Sequence, residues 1–357
     1  MNHMRISFSG AVLIMALAAF TAITLTPAGA QPRLEQPRTS QRAVVTQRVG
    51  ITDMTVTYHR PGVKGREIWG ALVPRGEVWR AGANEVTTIS FTDDVSVEGR
   101  PLAAGTYGIH MIPGLSSWTV ILSNNSGAWG TVYDQKDDAL RVDVIPLAAD
   151  FTEWMMFDFA ELSDTGATLE LRWVKLRVPV RIGVPTPEIV LGRARGAFAA
   201  GPDSTNRIML RDAAAYAVSK KIHPDEALSW IDRSIAARPD FRSFCVKSDI
   251  LADAGDREGA GRLLNEAIAA ATEKDVTSYA ASLVREYRPD RAIEILEKFV
   301  TVKGAPWGAL KALGDAHAAA GDRDAALRVY GAAMEKAPGD DEKTDIGKAI
   351  EALKKAK

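Results

Sequence analysis

The first half of the chain alternates apolar and polar residues with a period of two. In MTVTYH, the residues Met54, Val56 and Tyr58 fall on one side of an extended strand, and TYGIHMI repeats the same pattern. Similar runs, such as WTVIL, LRVDV and MFDF, lie between turn-forming stretches such as VEGRPL and IPGLSSW. From Arg42 to about Gly183 the pattern therefore predicts about nine short strands in an antiparallel β-sandwich or barrel-like domain.

The last strand of this region changes phase partway along. In LELRWVKLRVPVRI, the apolar residues up to Trp173 are odd-numbered, whereas those from Val174 onward are even-numbered. A regular strand cannot bury both sets on one face, so we predict a β-bulge near Trp173 and Val174. Pro179 cannot donate a backbone hydrogen bond, which places this part of the strand at a sheet edge or beside the bulge.

Beyond Pro185 the apolar residues follow a helical period and alanine becomes frequent. We predict a linker at residues 185–207 that contains one short helix, capped at its start by Thr186. Helical repeats are expected from residue 208 to residue 357. Similar segments begin at residues 208, 241, 273 and 307, which are about 33 residues apart.

The clearest repeat is WGALKALGDAHAAAGDRDAALRVYGAAMEKAP, which begins at Trp307. With Trp307 as position 1, the small residues Gly314, Ala326 and Ala333 occupy positions 8, 20 and 27, and Tyr330 occupies position 24. Small residues at these positions allow neighbouring helices to approach closely. The segment resembles the tetratricopeptide repeat, which implies an all-α solenoid of about four helical hairpins, a final capping helix and a concave surface for a protein partner.

Several long motifs of the alternating region occur together in one known family. They are TDMTVTYHRPGVKGREIWGALVPRGEVWRAGANEVTTISF, AAGTYGIHMIPG, WTVIL and AWGTVYDQKDDALRV, in this order. From about Thr39 to Val184 the chain resembles the exported bacterial domain of unknown function 2911, with Arg75 at a position where an aromatic residue is usual. The resemblance implies a β-rich fold and an exported location but no established activity. We place the β-rich domain at residues 31–184.

The start of the chain has the pattern of a cleaved signal peptide. Arg5 precedes an uninterrupted apolar run from Ala11 to Phe20, and Ala28-Gly29-Ala30 places small residues at a cleavage site. We predict that residues 1–30 are removed before Gln31. A retained membrane anchor is the alternative, but the apolar run is short for a membrane span. The expected mature protein is soluble and periplasmic or secreted, with no membrane span.

Charge and cysteine content narrow the classes of function. The chain has 44 Lys and Arg residues against 45 Asp and Glu residues, so no overall field favours nucleic acid or an anionic membrane. Cys245 is the single cysteine, which excludes an intramolecular disulfide in spite of the predicted export. The helical pattern around Cys245 predicts a buried thiol rather than a catalytic one.

One segment concentrates the candidate chemistry. HRPGVKGREIWGALVPRGEVWRAGANE, residues 59–85, holds five Lys or Arg residues, two tryptophans and five glycines. Arginine side chains can clamp a small anion or satisfy loop carbonyls, and tryptophans can stack on a glycan or anchor the core beneath a loop. The candidate ligand-binding residues are His59, Arg60, Arg66, Trp79, Arg80, Asn84 and Glu85 on this segment, together with His110 on a later strand.

Two further interpretations of these residues stay open. In a purely structural module, Asn84 and Glu85 would pair with Arg80, and the glycines would supply turns. In a metal-binding protein or an enzyme of the cell envelope, His59 and His110 would be neighbours if their strands pair, and Glu85 would complete a metal or acid–base centre.

The sequence favours a binding protein over an enzyme. It has no Ser/His/Asp order, nucleophile elbow, cysteine cluster or HExxH motif, and we predict no cofactor. The leading hypothesis is an exported, soluble protein whose β-domain recognises a small anionic or glycan ligand, or a surface group. Its repeats would dock a protein partner.

Overall fold

The computed structural model describes residues 36–355, except residues 128, 130 and 131. The predicted signal peptide, residues 1–30, lies outside the described residues. The described part contains ten β-strands followed by ten α-helices. The strands are β1 Gln41–Val49, β2 Thr52–Arg60, β3 Thr87–Phe91, β4 Val95–Val97, β5 Arg100–Leu102, β6 Gly105–Pro113, β7 Trp118–Ser123, β8 Asp138–Val144, β9 Leu147–Ser163 and β10 Gly166–Gly183.

Two antiparallel sheets enclose one hydrophobic core and form a β-sandwich. The six-stranded sheet has the order β1-β2-β3-β6-β7-β8, and the four-stranded sheet has the order β5-β4-β10-β9. Met54 and Val56 of β2 share the core with Leu169 and Leu171 of β10, and each is at most 4% exposed. The alternation in the sequence is therefore confirmed as the inside and outside pattern of the strands.

β10 is bulged where the sequence changes phase. Its pairing register with β9 shifts on both sides of Val174, and Val174 has a φ of 57°. Trp173 and Val178 differ in parity, yet both are buried, at 1% and 0% exposure. The predicted bulge is confirmed, because only an inserted residue lets both sets of apolar side chains reach the same core.

Pro179 occupies a gap between two ladders of an inner strand. β10 lies between β4 and β9, so it is not an edge strand. Its register pairs with β9 end at Arg177, and its register pairs with β4 begin at Ile182. The proline therefore lies where no ladder pair requires its missing N–H group.

The segment between β2 and β3, residues 61–86, links the two sheets. Near its start, the Val63 N–H donates to the Glu153 carbonyl of β9 at 2.9 Å. Farther along, Trp79 and Met111 of β6 exchange two backbone hydrogen bonds at 2.8 and 2.7 Å. The segment thus bonds to both sheets of the sandwich and satisfies much of its own backbone against them.

Tryptophan side chains anchor this segment to the core. Trp69 packs against Trp79, Trp118 and Trp173, and Trp79 also stacks on Trp173, with ring centroids 4.9 to 6.1 Å apart. Gly70, beside Trp69, has a φ of 95°, a conformation that glycine adopts without strain. Of the two roles open to these tryptophans, the contacts are those of core anchors beneath a long loop.

The second half of the chain is an array of helical hairpins. The helices are α1 Thr186–Ala200, α2 Asp203–Lys220, α3 Pro224–Ala237, α4 Phe241–Asp253, α5 Arg257–Ala270, α6 Glu273–Arg285, α7 Pro289–Lys303, α8 Trp307–Ala319, α9 Arg323–Lys336 and α10 Asp340–Lys355. The pairs α2 and α3, α4 and α5, α6 and α7, and α8 and α9 pack as hairpins. The first helix of each hairpin also contacts the first helix of the next one.

The repeat positions read from the sequence match this array. The predicted starts at residues 241, 273 and 307 are the first residues of α4, α6 and α8, whereas α2 begins at Asp203, before residue 208. The position-20 alanines of the hairpins, Ala227, Ala260, Ala292 and Ala326, are at most 5% exposed. α10 packs on the last hairpin and buries Ile346 fully, as expected of a capping helix.

α1 joins the two domains instead of forming part of a linker. Ile189 packs against the sandwich core, and Leu191 and Phe198 belong to the core formed with α2 and α3. Thr186 does not cap the helix: it is the first residue of α1, and its hydroxyl donates to the Asp164 carbonyl at 3.0 Å. The region predicted as a linker, residues 185–207, is thus a packed element because its apolar residues face both cores.

Cys245 lies in the core of the helical array. Cys245 forms no disulfide and is 0% exposed in α4, and burial raises the pKa of its thiol. Within the part of the chain that the structure describes, no helix combines the length and the apolar character that crossing a membrane requires.

Candidate functional site

An open groove of about 1050 Å³ lies on the outer face of the six-stranded sheet. Tyr58 of β2 points into the core, so its neighbours Thr57 and His59 lie on the opposite face. Pairing in register sets Thr88 of β3 beside Thr57, and Arg42 of β1 beside His59. The groove is lined by Gln36, Pro37, Arg38, Ser40, Gln41, Arg42, Thr57, His59, Glu85, Val86, Thr88 and Ser126.

His59, Glu85 and Arg38 form a connected polar cluster in this groove. Glu85 Oε2 lies 3.3 Å from His59 Nδ1. Arg38 Nη1 donates to both carboxylate oxygens of Glu85, at 2.6 and 2.8 Å. The Glu85 side chain is 41% exposed, whereas the His59 side chain is 9% exposed. The carboxylate therefore reaches solvent in the groove while it orients a mostly covered imidazole.

The surroundings of the cluster set its protonation state. The hydrogen bond from Arg38 lowers the pKa of Glu85, so this carboxylate is ionised at neutral pH. Burial lowers the pKa of His59, an effect that Glu85 opposes and that Arg38 and Arg42 reinforce. At neutral pH the cluster is thus a carboxylate beside a neutral imidazole. Such a pair can accept hydrogen bonds from a ligand, and it can also accept a proton from a bound hydroxyl.

Trp129 stands at the border of the groove. Its backbone forms an isolated antiparallel bridge with Glu85, and the Arg38 guanidinium lies 5.9 Å from the centre of its ring. The side chain is nevertheless 62% exposed. A large indole that stays this exposed next to a polar groove offers a stacking surface for a ligand.

Three of the candidate ligand residues serve the fold. Arg60 Nε donates to the Met155 carbonyl at 3.0 Å, and Arg66 donates to the carbonyls of Val63 and Gly62 at 3.1 and 2.5 Å. Trp79 packs within the tryptophan cluster. These three residues are not among those that line the groove. For the two arginines, the contacts are those of the structural interpretation, in which the guanidinium satisfies loop carbonyls.

The predicted pairing of Arg80 with Asn84 and Glu85 was wrong. Glu85 binds Arg38 instead, and Asn84 Nδ2 donates to the Ser40 carbonyl at 3.3 Å. The Nε atom of Arg80 is buried and has no hydrogen-bond partner among the residues that the structure describes. Arg38 and Ser40, the partners of Glu85 and Asn84, both lie before β1. Nearness along the chain was therefore a poor guide to which side chains are in contact.

His110 is not part of the polar cluster. β3 lies between β2 and β6, so the strands that carry His59 and His110 do not pair. His110 is 2% exposed and packs with its ring centroid 5.2 Å from that of Tyr133, and neither ring nitrogen has a hydrogen-bond partner in the described part of the chain. Within residues 36–127, 129 and 132–355, no group of three His, Cys, Asp or Glu residues is arranged to hold a metal ion. The hypothesis of one centre built from His59, His110 and Glu85 was therefore wrong.

Two cations of the groove, Arg38 and Arg42, were missed in the sequence. For Arg42 a signal existed: the short connection between β1 and β2 pairs Val49 with Thr52, and counting back along both strands sets Arg42 opposite His59. For Arg38 no comparable signal existed, because it precedes β1 and reaches Glu85 from 47 residues away.

The fold and the groove together define a two-domain protein, in which a β-sandwich with a polar outer groove is joined to a tetratricopeptide-like array of helical hairpins. Residues 40–182 match the family described as protein of unknown function, DUF2911, which confirms the resemblance found in the motifs. No curated protein matches the chain.

The helical region also matches solved structures at low identity. A crystal structure of MamA is 19% identical, with 40% of this chain and 84% of that chain covered and a TM-score of 0.23. A structure of YrrB, described as a TPR protein with an unusual peptide-binding site, is 17% identical, with 41% of this chain and 76% of that chain covered and a TM-score of 0.23.

Proposed function

We propose that this is an exported binding protein with two recognition surfaces. The groove on the β-domain takes a polar or anionic ligand, and the helical array holds a protein partner. The observation that carries the proposal is the groove itself, which contains Arg42 and the His59–Glu85 pair. The exposed ring of Trp129 stands beside it, next to Arg38 and Glu85. The signal-peptide pattern of residues 1–30 supports export.

The groove has the composition of a recognition site for polar groups. Most of its lining residues carry a hydroxyl, an amide or a charge, and Arg42 makes no ion pair among the described residues. An unpaired cation beside open hydroxyl groups favours a ligand that is itself polar and negatively charged.

The array offers a second surface at the joint between two hairpins. A cleft of about 360 Å³ lies among α4, α5 and α6, and Phe241, Phe244 and Leu263 form much of its apolar wall. Glu266 and Asp275 stand at the same cleft. An apolar cleft with acidic residues at its border suits an apolar side chain from a partner segment that also carries basic residues.

A ligand screen on the mature protein tests the β-domain surface. Small anions and oligosaccharides are added to residues 31–357, and the melting temperature is followed, because a ligand selective for the native state raises it. We expect at least one of these compounds to stabilise the wild-type protein. Arg42→Glu should abolish this shift, whereas Arg48→Glu should keep it, because Arg48 lies on the same strand outside the groove and pairs with Asp53.

The outcome that contradicts the ligand surface is specific. If no compound stabilises the protein, or if Arg42→Glu and Arg48→Glu respond alike, the groove is not a binding site for these classes.

Cross-linking in an envelope extract tests the helical surface. Ala270 lines the cleft, whereas the neighbouring residue Ala269 is also exposed but does not line it. We expect a partner captured by the wild-type protein to be lost with Ala270→Arg and kept with Ala269→Arg. Equal capture by both variants would show that the partner does not use this cleft.

An acid–base enzyme is the second candidate, favoured by the 3.3 Å approach of Glu85 Oε2 to His59 Nδ1. In such an enzyme the neutral imidazole would accept a proton from a substrate hydroxyl or a water molecule. The test incubates oligosaccharides with the wild-type protein and with His59→Gln, and it measures new reducing ends. Turnover by the wild-type protein that His59→Gln loses would establish the enzyme, and equal rates for both proteins would refute this role of His59.

A further inference from the structure

We propose that the groove on the β-domain binds an acidic glycan, a chain of sugar rings that carries carboxylate groups. The inference rests on the proposed function and names the ligand class of the same groove. Three independent features carry it: paired free hydroxyls on the groove floor, one uncompensated cation, and an exposed indole at the border.

The floor of the groove presents hydroxyl groups in register. Thr57 and Thr88 are directly paired across β2 and β3, so their side chains stand next to each other on the outer face. Neither hydroxyl takes part in a hydrogen bond within the described residues, and Ser126 and Gln41 line the same groove. Hydroxyl and amide groups both donate and accept, which matches the hydroxyls of a sugar ring.

One positive charge in the groove is left for a ligand. Arg38 is held by Glu85, so these two charges offset each other. Arg42 stands beside His59 in the β1–β2 register and has no carboxylate partner in the part of the chain that the structure describes. A carboxylate is the complement of a free guanidinium, because the two can form paired charged hydrogen bonds.

The exposed indole favours a sugar over an acidic peptide. Trp129 meets the Arg38 guanidinium and remains 62% exposed, so part of its ring area is open to a flat apolar face such as that of a sugar ring. A peptide would need pockets for its side chains, yet only Pro37 and Val86 among the lining residues are apolar. A broad groove with a polar floor and one aromatic border suits an extended chain of hydroxylated rings.

Binding of hexagalacturonate to the mature protein tests the inference. Its methyl ester and a neutral hexasaccharide, maltohexaose, serve as matched probes, and a glucuronate-containing hexamer tests a second linkage. Isothermal titration is performed with the wild-type protein, Arg42→Gln, Trp129→Ala and the control Arg48→Gln. Arg42 and Trp129 are exposed, so these changes should leave the fold intact, which circular dichroism checks.

We expect a uronate oligomer to bind the wild-type protein and Arg48→Gln equally. Arg42→Gln and Trp129→Ala should each weaken binding about tenfold, because each removes one direct contact. The ester and the neutral hexasaccharide should bind at least about tenfold more weakly, and binding of the acid should fall with added salt.

The outcomes that overturn the inference are distinct from the failure of the proposed function. If the neutral hexasaccharide or the ester binds as tightly as the acid, the ligand is not an acidic glycan, although the groove remains a binding site. If neither uronate oligomer binds but another anion of the screen binds in an Arg42-dependent way, the acidic-glycan inference fails and the proposed ligand-binding groove stands. If no probe binds in an Arg42-dependent way, both proposals fail.

Discussion

Replacement of Gly314 by alanine tests whether the last hairpin packs as tightly as its repeat pattern requires. Gly314 lies in α8 at repeat position 8, and a Cβ atom at this residue would stand 2.5 Å from both Cδ1 and Cε1 of Tyr330 in α9. Carbon atoms in contact prefer a separation of about 3.5–4.0 Å, so the ring would have to move by about 1 Å. Tyr330 is 2% exposed and its hydroxyl donates to Asp315 at 2.8 Å, so the ring has little room to move.

The magnitude follows from two opposed contributions. Overpacking of a filled core costs about 1–3 kcal/mol, whereas alanine in place of glycine inside a helix contributes about 0.5–1 kcal/mol. We therefore expect Gly314→Ala to lower the free energy of unfolding of the array by up to about 2.5 kcal/mol. The matched control is Gly331→Ala in α9, where a Cβ would meet nothing within 4 Å, and this variant should raise stability by about 0.5–1 kcal/mol.

Urea unfolding followed by circular dichroism at 222 nm measures both variants against the wild-type protein. The helical signal reports mainly on the array, because the described residues of the β-domain form no α-helix. The midpoint should fall for Gly314→Ala and rise for Gly331→Ala. If Gly314→Ala is as stable as Gly331→Ala, then Tyr330 does not fill the space above Gly314, and the packing argument for position 8 is refuted.

Three further predictions concern protonation, backbone strain and the domain junction. Burial lowers the pKa of His110, so the unfolded chain binds a proton at this histidine first, and the free energy of unfolding falls as the pH drops from about 6.5 through the lower folded-state pKa. Between pH 7.5 and pH 5.5, urea unfolding should show a smaller loss of stability for His110→Leu than for the wild-type protein, by up to about 1 kcal/mol per pH unit, and equal losses would contradict this. Tyr287 is 94% exposed and has a φ of 59°, at the turn position that Gly255 holds in the preceding hairpin. Tyr287→Gly should therefore raise the free energy of unfolding by about 0.5–1 kcal/mol, and a lower value in the same urea assay would argue against backbone strain at Tyr287. Asp93 accepts hydrogen bonds from Arg193 of α1 and from Thr52 of the β-domain. Calorimetry should therefore show that Asp93→Asn destabilises the protein by about 1–2 kcal/mol and Arg193→Gln by less, and the reverse order would contradict these contacts.

The fold was largely predictable because each element must bury one face. The alternation around Met54 and the phase change at Val174 describe local geometry, and the structure follows both. The repeat starts at residues 241, 273 and 307 were readable because small and aromatic residues recur where hairpins touch. The role of α1 was not readable, since a helix that faces two cores leaves no single apolar stripe.

The candidate site was predicted only in part. His59 and Glu85 were named from the sequence, and the structure brings them together. Arg60 and Arg66 were named for the same reason, yet their guanidinium groups face backbone carbonyls inside the fold. Composition cannot separate these cases, because the same arginine fork fits a carbonyl and an anion.

Periodicity along the chain was enough to specify a sandwich followed by a hairpin array, since the burial of an apolar face depends on the spacing of neighbours in the sequence. The composition of the groove depended on sheet order and on long-range contact. β3 separates the strands of His59 and His110, and Arg38 meets Glu85 across 47 residues of chain. Such contacts arise only when distant segments pack together, so it was the tertiary structure that decided which charges pair with each other and which one, at Arg42, has no ion-pair partner among the described residues.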